Sequence, residues 1–164
     1  MGFQLLVVGL AGSGKSTVGR KVAQNLGIAY IDGDLLHPRA NIEKMAKGTP
    51  LSDDDRDQWV ANIINALEHG DVVIGASLLK KSYRDLVRQN IPKVRFAQLD
   101  APLSVLESRL SVITDENFRK PLLASQLAIF DRLSEKEPGV VLDATLAVDD
   151  LAKRIVSDSR ESRV

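Results

Sequence analysis

Residues 9–16 read Gly-Leu-Ala-Gly-Ser-Gly-Lys-Ser, with the apolar run "FQLLVVG" leading into them and an amphipathic stretch following. The block matches G-x-x-x-x-G-K-[ST] in full and constrains the fold more than any other feature of the chain. Its glycines let the backbone bend until several N–H groups converge on phosphate oxygens. A helix opening near Lys15 adds the positive end of its dipole. Gly9, Leu10, Ala11, Gly12, Ser13, Gly14, Lys15, Ser16 and Thr17 are therefore the expected nucleotide contacts. Lys15 is expected to reach the β- and γ-phosphates of a nucleotide, and Ser16 to ligate Mg²⁺.

The rest of the chain alternates apolar runs with amphipathic segments. The runs at 3–9, 28–32, 71–77, 94–100 and 139–144 read as strands. Between them, Val18, Val22 and Leu26 recur at helical spacing. Ser52 can cap a helix that starts at Asp53, Asp54 and Asp55 and turns Trp59, Val60, Ile63, Ile64 and Leu67 inward. Further helices are marked by Tyr83, Leu86 and Val87, by Leu103, Leu106 and Leu110, by Leu123, Leu127 and Phe130, and by Val148, Leu151 and Ile155. The stretch "SVITDENFRKP" (111–121) shows no clear period and reads as a mobile loop. This alternation predicts an α/β fold, a five-stranded parallel sheet with helices on both faces. The length predicts one domain over 1–164. The loops at 9–16, 32–37 and 75–80 each follow a strand, so they are expected to meet beyond its carboxyl end.

Charge and cysteine content narrow the function. Lys plus Arg and Asp plus Glu each number 22, a balance that argues against nucleic acid or a membrane surface as main partner. The absence of cysteine excludes thiolate catalysis and Cys-ligated zinc. "MGFQLLVVGLAG" lacks the basic start of a signal peptide and is too short to span a bilayer, so the expected location is cytoplasmic.

The acceptor of the phosphoryl group is sought in the loop after the second strand. No Asn-Lys-x-Asp guanine-reading motif is found, and the third strand ends in Gly75-Ala76-Ser77 instead of an acid. Asp32 is therefore the expected metal-organising carboxylate, and Asp34 the expected base at the acceptor hydroxyl.

Taken in order, the phosphate block, "DGDLLHP--N--KM--G-PL-DDDR--W" across 32–59 and "SLLKKSYRD" (77–85) resemble the gluconate kinase family, small kinases similar in fold to shikimate kinases. The resemblance covers most of 5–135. It implies a P-loop NTPase fold, nucleoside-monophosphate-kinase-like, with a short lid at about 111–121. It also implies phosphorylation of the 6-hydroxyl of D-gluconate with ATP and Mg²⁺, and a homodimer. A kinase for another hydroxy acid, such as a different aldonate or a shikimate-like acid, and a nucleotide-binding regulatory module with weakened catalysis stand as alternatives.

The residues around the acidic pair suit a small-molecule sugar acid, whose hydroxyls and carboxylate need several donors and an Arg fork. His37, Arg39, Arg56, Lys80, Tyr83 and Arg84 are the candidate substrate contacts, with Arg56 and Arg84 as forks and Arg84 also placed with the catalytic groups. Arg109 is the candidate for stacking on adenine. The family carries Arg-x-x-His-Phe in its lid, where Ile113, Glu116 and Asn117 stand here. Arg119 is accordingly assigned as the lid cation. Lys120 is the poorer substitute because it lacks the planar fork.

Overall fold

The computed structural model describes residues 2–162; the side chains of Glu116 and Phe118 lie outside that description. Five strands, β1 (Gln4–Val8), β2 (Ala29–Asp32), β3 (Val72–Gly75), β4 (Arg95–Asp100) and β5 (Gly139–Asp143), pair in parallel in the order β2-β3-β1-β4-β5. The helices are α1 (Lys15–Leu26), α2 (Arg39–Ala46), α3 (Asp53–Glu68), α4 (Lys81–Asn90), α5 (Leu103–Ser111), α6 (Glu116–Ile129) and α7 (Val148–Glu161), with a 3₁₀ turn at Gly33–Leu36.

Strand β1 is apolar without alternation because both faces of the sheet are covered. Leu6 and Val8 pack with Trp59, Val60, Ile63 and Val87 from α3 and α4. Leu5 and Val7 pack on the other side with Val18 and Val22 of α1 and Leu151 and Ile155 of α7. These are the five parallel strands and two covered faces that the sequence predicts. Ser52 caps α3 as expected: its Oγ accepts from the Asp55 N–H at 3.2 Å, and the Asp55 carboxylate accepts from the Ser52 N–H at 2.9 Å.

Two segments depart from expectation. The 111–121 stretch is not a loop. Ser111 ends α5, only 112–115 lie outside helix, and α6 starts at Glu116 with Pro121 inside it. Leu123 packs against Leu106 and Leu110, so tertiary contact holds a helix whose first turns carry no apolar period. Helix α2 was not anticipated either; Asn41 is its one buried residue, so it shows no apolar stripe.

The register brings the loops together. Asp32 and Val7 both stand opposite Gly75, so β1, β2 and β3 end at one level. A side chain at Gly33 would place its Cβ 2.6 Å from the Gly75 carbonyl oxygen and 2.7 Å from the Ala76 Cβ. Only glycine allows that close approach. Among the described residues no helix is long and apolar enough to cross a membrane.

Candidate active site

The phosphate cradle runs from the end of β1 into α1. Gly12 and Gly14 have φ of 83° and 96°, values that L side chains adopt only under strain, and Gly14 caps α1. Ser13 is buried inside the cradle, and its Oγ has no protein partner. The Lys15 ammonium donates to the Leu10 carbonyl at 3.1 Å. Burial lowers its pKa to about 8, against the opposing pull of the Asp34 and Asp32 carboxylates.

Four side chains brace the cradle from outside. Gln126 on α6 accepts the Ala11 N–H at 2.7 Å. Arg109 on α5 donates to the carbonyls of Gly12 (3.3 Å), Ser13 (3.2 Å) and Ala144 (2.7 Å), which places it between the cradle and the loop after β5. Leu106 and Leu110 pack on Leu10 and Ala11. The bracing by Gln126 was missed in the sequence; its partner is 115 residues away.

Across the edge, Asp32 caps the 3₁₀ turn by accepting the Asp34 N–H at 3.0 Å. The Asp34 carboxyl is held above the usual carboxylate range, first by desolvation and then by the Asp32 charge, with Lys15 pulling it back down. Trp59 of α3 fixes this loop from beneath, its indole N–H donating to the Gly33 carbonyl at 2.8 Å. His37 lies flat on Trp59, ring centroids 4.6 Å apart and planes 8° from parallel. Burial and the Arg56 charge lower the His37 pKa to about 4, so the ring is neutral at neutral pH.

Arg56 links this wall to a second group of side chains. Its guanidinium lies 3.7 Å from Asp53, which also accepts from Lys80 Nζ at 2.7 Å and from the Tyr83 hydroxyl at 2.9 Å. Burial, with the Asp53 carboxylate beside it, pushes the Tyr83 hydroxyl up to about 12. The acidic first turn of α3 thus does more than start a helix. Asp53 gathers two hydrogen-bond donors and the Arg56 charge, and Asp55 holds Lys44 at 2.8 Å, fastening α2 to α3.

Two expected substrate contacts do not belong to the site. Arg84 has no exposed surface; its guanidinium pairs with Glu137 and with the carbonyls of Leu78 and Leu79, so it cannot touch a substrate. Arg39 faces solvent from α2, its side chain 92% exposed and paired with Glu43. Arg119, assigned as the lid cation, is turned back onto the turn between α5 and α6, donating to the Thr114 carbonyl at 3.2 Å. A cavity of about 580 Å³ between the ends of β4 and β5 and the α5–α6 pair meets the cradle only at Leu10 and is lined by none of the other assigned site residues.

No cluster of three or more His, Asp or Glu able to hold a metal occurs among the described residues. The donors present suit Mg²⁺ in another way. Ser16 and Asp32 are hard oxygen ligands of the kind that share this ion with substrate phosphates. The Tyr30 hydroxyl lies close to both, buried and without a partner of proper hydrogen-bond geometry, and burial raises its pKa.

A family model described as an AAA domain matches residues 5–120. The thermoresistant gluconokinase of Escherichia coli is 42% identical over 149 residues, which cover 88% of this chain and 82% of that protein. The crystal structure of a gluconokinase from Sinorhizobium meliloti 1021 superposes with a TM-score of 0.88 at 35% identity, covering 97% of this chain and 92% of that one. A shikimate kinase from Aquifex aeolicus, at 15% identity and a TM-score of 0.62 over 98% of each chain, shares the fold alone. With a complete phosphate cradle, an Asp-x-Asp loop at the same sheet edge and relatives aligned over most of their length, the chain belongs to the gluconokinase family of P-loop kinases.

Proposed function

We propose that the protein transfers the γ-phosphoryl group of ATP to the 6-hydroxyl of D-gluconate, giving 6-phospho-D-gluconate and ADP. The observation that carries this reading is the shared edge: the register that levels Asp32 with Gly75 and Val7 sets Asp34 within the field of the cradle's Lys15. Asp34 takes the proton of the attacking hydroxyl as the new P–O bond forms and the bond to ADP breaks. Lys15 supports the charge on the transferred group. Ser16 and Asp32 would hold Mg²⁺, which when bound neutralises phosphate charge. Arg56 offers its fork to the carboxylate of the acid, and Lys80 and Tyr83 line the wall beside it. Arg109, between the cradle and Ala144, is in place to flank the base of the nucleotide.

The test is a phosphorylation screen of gluconate, other aldonates and shikimate with ATP and Mg²⁺, with the product identified by ³¹P NMR. Gluconate is expected to give the highest kcat/KM. Preference for a different acid would replace the substrate assignment, and ATP turnover with none of them would remove it.

The two perturbed groups at the edge set a pH profile. Asp34 acts as a carboxylate and Lys15 as an ammonium. With Asp34 raised above its ordinary 3.8, kcat/KM falls on the acid side at a pH above that value. With Lys15 lowered to about 8, it falls again as pH rises through about 8. Lys15→Arg should move the alkaline limb upward, because a guanidinium stays charged. An alkaline limb that does not respond to Lys15→Arg would belong to another group.

Phosphoryl transfer also needs a cation from the lid, a contribution of about 10³–10⁵ in rate where an Arg supplies it. Ile113 is 75% exposed at the turn between α5 and α6 and carries no charge. Arg119 is the cation we assign to this task. Arg119→Ala is expected to lower turnover by more than about tenfold. The melting temperature should fall only slightly, since the single part-buried bond to the Thr114 carbonyl contributes about 0.5–1.5 kcal/mol. If Arg119→Ala does nothing while Ile113→Arg raises turnover sharply, the lid cation has been lost from this chain.

A further inference from the structure

The bond between His37 and Asn41 defines more than a contact. Asn41 is 3% exposed, and its Nδ2 lies 2.7 Å from the Asp55 carbonyl oxygen and 3.2 Å from His37 Nδ1. The Asp55 carbonyl can only accept, so the Asn41 atom facing it is the amide nitrogen and not the amide oxygen. That same nitrogen has a second hydrogen, and it faces Nδ1 of His37. Nδ1 must then be a bare acceptor, and the ring proton must sit on Nε2, across the ring. The stack on Trp59 fixes the plane, and the His37 backbone N–H caps the 3₁₀ turn at the Asp34 carbonyl, so the ring is held three residues from the acceptor base. Of the charged groups near the ring, Arg56 on α3 acts on it and disfavours a second proton.

We propose that Asn41 is a positioning residue that locks His37 as the Nε2–H tautomer, so that the half-buried imidazole offers the sugar acid one uncharged hydrogen-bond donor and no acceptor. Beside the Arg56 guanidinium, that donor favours a carboxylate oxygen, whose charge strengthens both contacts, over a hydroxyl, which accepts more weakly and leaves its own proton to be partnered elsewhere. The identity of this oxygen rests on the sugar-acid reading above; the tautomer does not.

The experiment therefore starts with the free protein. The chain has two histidines, so ¹⁵N-histidine labelling gives two rings, and a His69→Gln variant assigns them. At neutral pH, His37 is expected to show a protonated Nε2 and a bare Nδ1. An Nδ1–H ring, a fast mixture of tautomers or an imidazolium at neutral pH overturns the proposal whatever the substrate proves to be. Adding gluconate should shift the Nε2–H resonance; no shift, with gluconate turned over by the same sample, overturns the role in the site.

Two variants supply a readout that a packing role would not move. Asn41→Asp places a carboxylate oxygen against Nδ1, and the ring should flip to the Nδ1–H form. KM for gluconate should rise by about tenfold while KM for ATP stays unchanged. Should Asn41→Asp fail to fold, the ring is tested directly. His37→Gln keeps an N–H near the Nε2 position and should hold KM within a few-fold, whereas His37→Leu should show the full tenfold loss. Equal losses in the two would make His37 something other than a neutral donor.

Discussion

Asp34→Asn will lower turnover by about 10²–10⁴-fold, the range that a positioned acid–base group contributes. ATP affinity, measured by calorimetry without sugar acid, will stay within a few-fold. The substitution keeps the size of the side chain and removes its charge and basicity. It does not disturb the loop, because the bond that shapes the loop is made by the Asp34 backbone N–H to Asp32. A second effect follows from the electrostatics. The Asp34 carboxylate raises the pKa of Lys15, so its removal should carry the alkaline limb of kcat/KM below about 8. If ATP affinity collapses together with turnover, Asp34 belongs to the metal shell, and the division of labour with Asp32 is wrong.

Arg84→Met will destabilise the fold by about 3–5 kcal/mol, the usual cost of stripping one partner from a buried ion pair. That is a large share of the ~5–15 kcal/mol that holds a typical domain together. Both side chains of the Arg84–Glu137 pair are fully buried, with Nε to Oε1 at 2.7 Å and Nη2 to Oε2 at 3.2 Å. Nη1 donates to the carbonyls of Leu78 and Leu79, and Glu137 also accepts the Ser134 N–H at 2.8 Å. The truncation leaves the Leu78 carbonyl without its donor and the Glu137 charge with no cation, held only by the Ser134 N–H, while the Leu79 carbonyl keeps the Asp131 N–H.

Burial alone would push the Glu137 carboxyl upward, but Arg84 and the Ser134 N–H hold it below its ordinary 4.5. Its contribution to stability is therefore present above pH 4.5 and is lost as pH falls through the lower value it has in the folded protein. Urea denaturation of Arg84→Met beside the double variant Arg84→Met/Glu137→Leu separates pair from charge. The double variant should recover much of the loss, since an apolar pair replaces a buried ion pair at little cost. A stable Arg84→Met enzyme with a large rise in KM for the acid would restore Arg84 to the substrate site.

What could be read from the sequence was what lies close together along the chain. The cradle is one contiguous block, and the strands are apolar runs because both faces of a parallel sheet are buried. The cap on α3 needs only Ser52 and Asp55, three residues apart. Pairings across long separations left no such trace. Asp53 meets Lys80 and Tyr83 across 27 and 30 residues, and Arg84 meets Glu137 across 53. For Arg84 a local signal did exist. Arg84, Val87 and Ile91 follow i, i+3, i+7 spacing and are all buried, so the arginine lies on the core face of α4. Charge alone suggested a ligand, and the period was the better guide. Helix α2 gave no such signal, since it is fastened by Asn41 and Lys44 to α3 and not by an apolar stripe.

Trp59 is the single tryptophan of the chain. Its indole N–H holds the carbonyl of Gly33, between the two acidic residues, and its face carries the His37 ring. All of the protein's indole fluorescence therefore originates directly beneath the acceptor loop. A change in that loop, whether in the bond at Gly33 or in the imidazole stacked above, alters the surroundings of the one emitter with no second indole to dilute the signal. The packing that steadies Asp34 also gives the protein a built-in optical reporter of the loop that carries it.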